Sequence, residues 1–321
     1  MNLPRVSAVV PNYNHAKLAP RCLDALLNQP VPPDEIIVID DASTDNSVEV
    51  LEGYARRHDR IRFLRNAKNS GVCATLNRGL AEARHDHIGF FAADDEVLPG
   101  LFQKSLPLLA RHPEAGFVTG ICRWQCHATG NSWLYGATMP KQAGFLSQPD
   151  IVRLARSGKL QIPAQPALYR KDALIKAGGW RPELRWFTDW FGTWVVGFRH
   201  GICFVPEELS IFHLYPTSYY HSAESKAQRI ETLDRVLRLL ESPEYSDVTP
   251  WVRSSGLLGQ FGLPALQLAL RDREHRQFLS LPLLRMVAKR QAEIVGRKFF
   301  PDWLTRLCLR LFYGAGRKAD S

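Results

Sequence analysis

Two pairs of adjacent carboxylates raise the question of chemistry. Asp94-Asp95 follow the apolar run His87-Ile88-Gly89-Phe90-Phe91, and Asp40-Asp41 follow Glu35-Ile36-Ile37-Val38-Ile39. Neighbouring carboxylates at the mouth of a buried strand repel each other and lose hydration. A hard divalent cation relieves both costs. Mg²⁺ typically binds through one or two carboxylates and takes phosphate oxygens and water as its remaining ligands. Asp94-Asp95 therefore suit a metal that carries a diphosphate. The plain alternative is a helix cap before Pro99-Gly100-Leu101. Asp40-Asp41 offer acceptors for a base or a ribose. Their plain alternative is turn and capping chemistry in Asp41-Ala42-Ser43-Thr44-Asp45.

These residues need a scaffold that brings them together. Arg5 to Val10 is a short apolar run stopped by Pro11-Asn12-Tyr13-Asn14, which reads as a buried strand and a loop. A helical pattern follows from Leu18 to Leu27. Further strands are expected at Glu35–Ile39, Arg62–Leu64 and His87–Phe91, with helices at about 48–57 and 71–83 between them. Strands alternating with helices at this spacing give an α/β fold with a mainly parallel sheet and right-handed crossovers. Such sheets bind ligands outside the carboxyl ends of their strands. Pro11–Asn14, Asp40-Asp41 and Asp94-Asp95 all fall at those ends, so one rim collects them. No glycine-rich phosphate loop follows the first strand, which disfavours dehydrogenases, P-loop enzymes and nucleotidyltransferases.

Beyond residue 114 the pattern is mixed. Strands are expected at Phe117–Ile121, Ala167–Arg170 and Gly201–Val205, and helices at Ser147–Arg156 and, by strong periodicity, Glu224–Leu240. The chain carries +9, and residues 225–321 hold +7 of it. Phe300, Trp303, Leu304, Leu307 and Leu311 share one helical face and Arg306 and Arg310 another, the pattern of an interfacial helix on an anionic membrane. No recognised nucleic-acid-binding fold accompanies the basic residues, so nucleic acid is not an expected partner. Six scattered cysteines without a framework, and no secretory signal, suggest a cytoplasmic protein, peripheral at the inner membrane face if the tail binds lipid. Cys122, Cys126 and His127 lack the spacing of a structural zinc site. The uncharged stretch Ser254–Leu270 contains Pro264 and glycines, and reads as buried helix and turn.

Val9-Val10-Pro11-Asn12-Tyr13-Asn14, Glu35 to Ser47, Asn69-Ser70-Gly71-Val72 and Ala93-Asp94-Asp95-Glu96 with Leu98-Pro99-Gly100 together resemble glycosyltransferase family 2, in order and in spacing. The resemblance covers residues 5 to about 220. It implies a GT-A fold, a nucleoside-diphosphate sugar donor (a UDP-sugar as the first expectation), Mg²⁺ or Mn²⁺, and inversion at the anomeric carbon. By position it places Pro11, Tyr13, Asn14, Asp40, Asp41, Asn69 and Asp94 at the nucleotide sugar, and Asp94, Asp95 and His213 at the metal. Lys171 to Trp180, ending in Gly178-Gly179-Trp180, resembles an acceptor-side loop, with Trp186 beyond it. Asp189 in Arg185-Trp186-Phe187-Thr188-Asp189-Trp190 resembles the catalytic base. Trp180, Trp186, Phe187, Trp190 and Trp194 offer a stacking wall for a sugar, or core.

Two departures stand out. Ala92 occupies the first position of the metal motif, and Leu76-Asn77 replaces an Arg-Asn pair, leaving Arg78 as a substitute basic contact. The resulting expectation is a GT-A domain at residues 1–224, made of a nucleotide-sugar half (1–113) and an acceptor half (114–224), with a basic helical extension at 225–321. The acceptor would be a saccharide or a lipid-linked hydroxyl in polysaccharide or glycolipid synthesis. The competing reading is a catalytically silent nucleotide-sugar-binding module.

Overall fold

A computed structural model describes residues 2–215 and 225–299, with side chains to residue 296. The expected tail helix over 300–313 lies outside the described residues. Two compact units emerge: residues 1–146 with 161–223, and residues 147–160 with 224–321.

The first unit is a sheet with helices. In chain order it runs β1 (Val6–Asn12), α1 (Ala19–Leu27), β2 (Glu35–Asp40), α2 (Ser47–Arg57), β3 (Ile61–Arg65), α3 (Val72–Glu82), β4 (His87–Phe90), β5 (Glu96–Val97), α4 (Leu101–Arg111), β6 (Phe117–Cys126), β7 (Ser132–Tyr135) and β8 (Gly144–Leu146). The chain then leaves through α5 (Gln148–Arg156) and returns as β9 (Leu168–Arg170), α6 (Lys171–Lys176), α7 (Thr188–His200) and β10 (Ile202–Leu214). The strand order is β3-β2-β1-β4-β9-β6-β10-β5, with β7 beside β6 and β8 beside β10.

β2 and β4 pair in parallel with β1, and β3 pairs in parallel with β2. β9 runs antiparallel to both β4 and β6, which restores the common direction to β6, and β10 follows β6 in parallel. The carboxyl ends of β1, β2, β4, β6 and β10 therefore share one rim. Burial explains the apolar strand sequences: every residue of β2 is buried, as are six of the seven in β1. Val6, Ala8, Val10, Ile36 and Val38 pack with Leu23, Leu26 and Leu51 of the flanking helices.

β10 is longer than its sequence suggests. Pro206-Glu207-Glu208 reads as a break after Val205. The strand instead absorbs these residues in two register shifts against β6, between Phe204 and Glu208 and between Glu208 and Ser210. A bulge tolerates a proline that has no N–H to give the ladder. The strand then continues to Leu214 and carries His213 to the rim.

The second unit is helical: α5, α8 (Lys226–Glu241), α9 (Thr249–Ser255), α10 (Leu263–Arg271) and α11 (Leu281–Phe299). The sequence reading put residues 147–160 in the acceptor half. In the structure α5 packs on α9, and Arg156 Nε donates to the Ser254 carbonyl at 2.6 Å. His275, fully buried, bridges Glu241 (Nδ1 to Oε1, 2.6 Å) and Asp234 (Nε2 to Oδ1, 3.1 Å). Among the described residues no helix is long and apolar enough to cross a membrane. Ser254–Leu270 spans the end of α9, a 3₁₀ turn and most of α10.

Candidate active site

The loops after β1 and β2, where the nucleotide sugar is expected, zip together. Asn14, at φ 56°, accepts from the Thr44 amide at 2.8 Å through Oδ1, and its own N–H donates to Ser43 Oγ at 2.9 Å. Ala42 also takes a positive φ of 59°. Non-glycine residues in this region are strained and collect at functional loops. Tyr13 stands 43% exposed at the tip, and Pro11 is half-buried beside it.

Asp40 and Asp41 are both buried and internally bonded. Asp40 accepts from Asn12 Nδ2 (3.0 Å), Ser43 Oγ (2.5 Å) and the Ser43 amide (3.0 Å). Asp41 accepts from Asn66 Nδ2 (2.6 Å) and from the Ser70 and Gly71 amides (2.9 and 2.8 Å). The turn-building alternative thus accounts for most of their acceptor capacity. Asp41 also fixes the start of α3, with Asn69 Oδ1 accepting from the same Gly71 amide at 3.1 Å. Asn69 is exposed. Arg78, the expected substitute cation, ties its Nη1 to the Arg65 carbonyl and Asn66 Oδ1 instead.

Asp95 is the most tightly constrained acid at the rim. It is 1% exposed; Oδ1 accepts from the His213 backbone N–H at 2.9 Å, and Oδ2 is buried without a hydrogen-bond partner. Burial first, and the neighbouring Asp94 charge second, push its carboxyl well above the usual range. Arg21 of α1 lies beside the pair and donates to the Asp94 carbonyl oxygen at 2.5 Å. Sequence reasoning missed Arg21. The signal was a basic residue in the first turn of a helix, where the dipole disfavours it. An orphaned carboxylate oxygen beside a second, half-buried carboxylate fits a hard cation such as Mg²⁺ or Mn²⁺.

His213, expected as a third metal ligand, does not join that pair through its ring. Its Nδ1 lies 2.9 Å from His127 Nε2, and its Nε2 lies 3.8 Å from Glu96 Oε2. Among the described residues no three His, Cys, Asp or Glu side chains are grouped to hold a metal. An ion at Asp94-Asp95 would complete its shell with ligand oxygens and water. Burial, then the Arg21 charge, lowers the His213 pKa to about 4, so the ring is neutral near pH 7.

α3 positions the segment expected on the acceptor side. Asn77 clamps the backbone of Trp180: its Nδ2 donates to the carbonyl at 2.6 Å, and its Oδ1 accepts the amide at 2.9 Å. Gly179 before it has φ +62°, and a Cβ there would lie 2.8 Å from Asn77 Oδ1. The sequence reading noted Asn77 only as the neighbour of Leu76 and assigned it no such clamp. Trp180, Phe187 and Trp194 are buried and belong to the core; Trp186, 36% exposed, has its ring 3.9 Å from that of Phe187. Arg185, at φ 51°, kinks the chain just before α7.

Asp189 stands in the first turn of α7. It keeps solvent contact, yet protein surrounds it deeply enough that lost hydration raises its carboxyl to about 6. The Trp190 amide donates to Oδ1 at 2.6 Å. Asp189 also acts electrostatically on Cys73 in the first turn of α3, two residues from the Gly71 that Asp41 holds. α3 thereby links the loop after β2 to the neighbourhood of Asp189.

A mainly parallel sheet flanked by helices, with the loops after β1, β2 and β4 gathered at one rim, is a fold of the GT-A type. Residues 7–177 match the family described as Glycosyl transferase family 2. The chain belongs to that family. It is 30% identical over 193 residues to an uncharacterized glycosyltransferase, YibD, of Escherichia coli K12, covering 58% of this chain and 56% of the relative. It is 40% identical over 102 residues to the uncharacterized glycosyltransferase EpsJ of Bacillus subtilis 168, covering 32% and 29%. The chain thus spans about half the length of the first and under a third of the second. In fold it is similar to residues 1–349 of TarS from S. aureus in complex with UDP-GlcNAc, at TM-score 0.63 and 15% identity over 95% of this chain and 86% of that one. It is also similar to the mannosyltransferase PcManGT of Pyrobaculum calidifontis in complex with GDP-Man and Mn²⁺, at 0.54 and 17% over 93% and 88%.

Proposed function

We propose that this chain is an inverting, metal-dependent glycosyltransferase that moves a sugar from a nucleoside-diphosphate donor, a UDP-sugar first, to a hydroxyl of a saccharide or lipid-linked acceptor. The observation that carries the reading is Asp189: a solvent-reachable carboxylate in the first turn of α7 with its pKa raised to about 6. Such a group is ionised at pH 7 and still basic enough to take a proton. Asp189 removes the acceptor proton as the hydroxyl oxygen bonds to the anomeric carbon and the bond to the leaving diphosphate breaks. Attack opposite the leaving group inverts the configuration.

Tyr13 and the loops after β1 and β2 hold the nucleoside. Asp94 and Asp95 would hold Mg²⁺ or Mn²⁺, which when bound supplies charge for the departing diphosphate. The solved neighbours with UDP-GlcNAc, and with GDP-Man and Mn²⁺, support this donor chemistry. Trp186 offers an aromatic face to the acceptor.

The test is a thermal-shift panel of UDP, GDP, dTDP and CMP with and without Mn²⁺, followed by turnover of the UDP-sugars. A shift for one diphosphate that grows with Mn²⁺, together with turnover, supports the enzyme. Binding without turnover of any donor and acceptor supports the silent module.

A membrane-proximal acceptor would match the second unit. Leu281, Leu284, Ile294 and Val295 of α11 are each 46–59% exposed, among basic residues Arg285, Lys289 and Arg290. This supports contact with an anionic bilayer on the cytoplasmic side. Co-sedimentation with anionic liposomes, for the parent against a Leu284→Glu, Ile294→Glu double variant, tests it; equal partition removes α11 from the reading.

A further inference from the structure

We infer that the cavity between α5 and α9 is a headgroup site for an anionic phospholipid, with the lipid phosphate between Arg153 and Arg156 and Trp251 against the apolar part of the lipid. The inference rests on the bilayer reading above and gives it a defined site.

The cavity holds about 590 Å³ and lies wholly within the helical unit. Cavities of this size between helices are common ligand sites. Pro149 and Val152 on one side and Trp251 on the other make its lining largely apolar, and Arg153 and Arg156 bring two positive charges to it. No carboxylate or amide side chain lines it, and side-chain acceptors are limited to the hydroxyls of Ser157 and Ser254. A neutral sugar needs acceptors as well as donors for its hydroxyls, so this lining suits it poorly. A phosphate, which only accepts, suits it well.

The guanidinium groups are held in place without being used up. Arg156 Nε donates to the Ser254 carbonyl at 2.6 Å, and its Nη groups have no partner among the described residues. Arg153 pairs through Nη2 with Asp150, which is itself fixed by the Ser147 amide and hydroxyl at 3.0 and 2.6 Å. Both arginines are exposed, so a ligand reaches them from solvent. Guanidinium forks bind phosphate oxygens through paired N–H bonds. Trp251 is half-buried, and its ring type is the one that settles at headgroup depth in a bilayer.

α11 flanks the cavity. A Cβ on Gly158, next to Ser157, would lie 2.5 Å from Lys289 Nζ, which puts a third cation at the rim. Ser280, just before α11, donates through Oγ to the Arg253 carbonyl at 3.0 Å, beside Ser254. To residue 296 the three helices carry Arg153, Arg156, Arg253, Arg285, Lys289 and Arg290 against Asp150 and Glu293. That excess complements an anionic surface, and the exposed Leu281 and Leu284 add an apolar edge. A free phosphate would use the guanidinium groups and leave the apolar lining and edge wet. A lipid uses both.

The experiment measures partition of the full chain onto vesicles of phosphatidylcholine alone and of phosphatidylcholine mixed equally with phosphatidylglycerol. The parent should prefer the mixed vesicles. An Arg153→Gln, Arg156→Gln double variant should bind them about tenfold less, the loss of hydrogen bonds to a charged group. Arg271→Gln with Arg276→Gln removes the same charge elsewhere in the unit and should stay within about threefold of the parent, since exposed charges beyond a Debye length act weakly. Arg153→Gln alone leaves the bond from Arg156 to Ser254 intact and should fall about threefold, which serves if the double variant does not fold. Equal losses in the two double variants, or no loss in the first, overturn the site. Calorimetric binding of glycerol phosphate by a parent that ignores the mixed vesicles marks a free-phosphate site and overturns the lipid assignment. Binding lost in Leu284→Glu, Ile294→Glu but unchanged in Arg153→Gln, Arg156→Gln keeps the bilayer reading and removes the site. A parent that binds neither vesicle nor glycerol phosphate overturns both.

Discussion

Replacing Asp189 by Asn tests the proposed chemistry most directly. Asn keeps the size of the side chain and its acceptor for the Trp190 amide, and removes the base. General-base catalysis is typically worth about 10²–10⁴-fold, so turnover at saturating donor should fall by that range. The acidity of the group adds a second, independent signature. With a pKa of about 6, Asp189 is about nine-tenths ionised at pH 7 and about one-tenth at pH 5. The parent kcat/KM should therefore fall about tenfold between those pH values, and the residual activity of the variant should lose that limb. Stability should move the other way. A carboxyl whose folded pKa is raised stabilises the fold below its unfolded value near 4, and that contribution is lost as pH rises through about 6. The variant should then melt higher than the parent at pH 8, with the gap closing towards pH 4. Initial rates with a metal-saturated donor and melting curves across pH 4–8 measure all three. Activity within a few-fold of the parent, or an unchanged acid limb in the variant, would refute the assignment.

Asp95→Asn should abolish Mn²⁺-dependent stabilisation by UDP. It should leave the metal-free melting temperature equal or higher at pH 7–8, since a buried charge beside Asp94 is gone; scanning calorimetry reads both. Asn77→Ala orphans the Trp180 amide and carbonyl, at roughly 1–3 kcal/mol for each buried group, and should raise the acceptor KM more than the donor KM. Gly179→Ala forces a Cβ at φ +62° against Asn77 and should lower both stability and turnover, by at least about 1 kcal/mol in urea titration. His275→Ala removes the cation between Glu241 and Asp234. It should cost about 2–3 kcal/mol, below the roughly 3–5 of a fully buried pair because Asp234 is 29% exposed. The His275 pKa is raised by its carboxylate partners against the opposing effect of burial, so the parent holds this stability below pH 6.5 and loses it as pH rises through the folded value.

Local signals made the nucleotide half legible. Buried parallel strands such as β2 read as unbroken apolar runs, and loop residues such as Asn14 and Asp41 are types that build turns. The roles of those residues were less legible, because a carboxylate that caps a loop and one that binds a base look alike in sequence. Asp41 shows this: its bonds go to amides some 30 residues away. Long-range pairings such as Asn77 with Trp180, Arg21 with Asp94 and His127 with His213 leave no periodic trace. β10 was cut short by a proline that a bulge absorbs, and with it went the register that delivers His213.

The excursion of residues 147–160 into the helical unit has a consequence for synthesis and for truncation. α5 is made about 90 residues before its helical partner, α9, emerges. During translation its apolar face, Ile151, Val152 and Ala155, must wait uncovered while the sheet around β9 and β10 assembles on either side of it in sequence. The order of emergence thus makes the second unit a late event that closes over an early segment. A chain stopped near residue 224 would keep every strand and yet strand α5 without a partner, inviting aggregation. A minimal sheet unit should instead replace 147–160 with a short polar linker, and its solubility against the simple truncation would show how much that waiting helix matters.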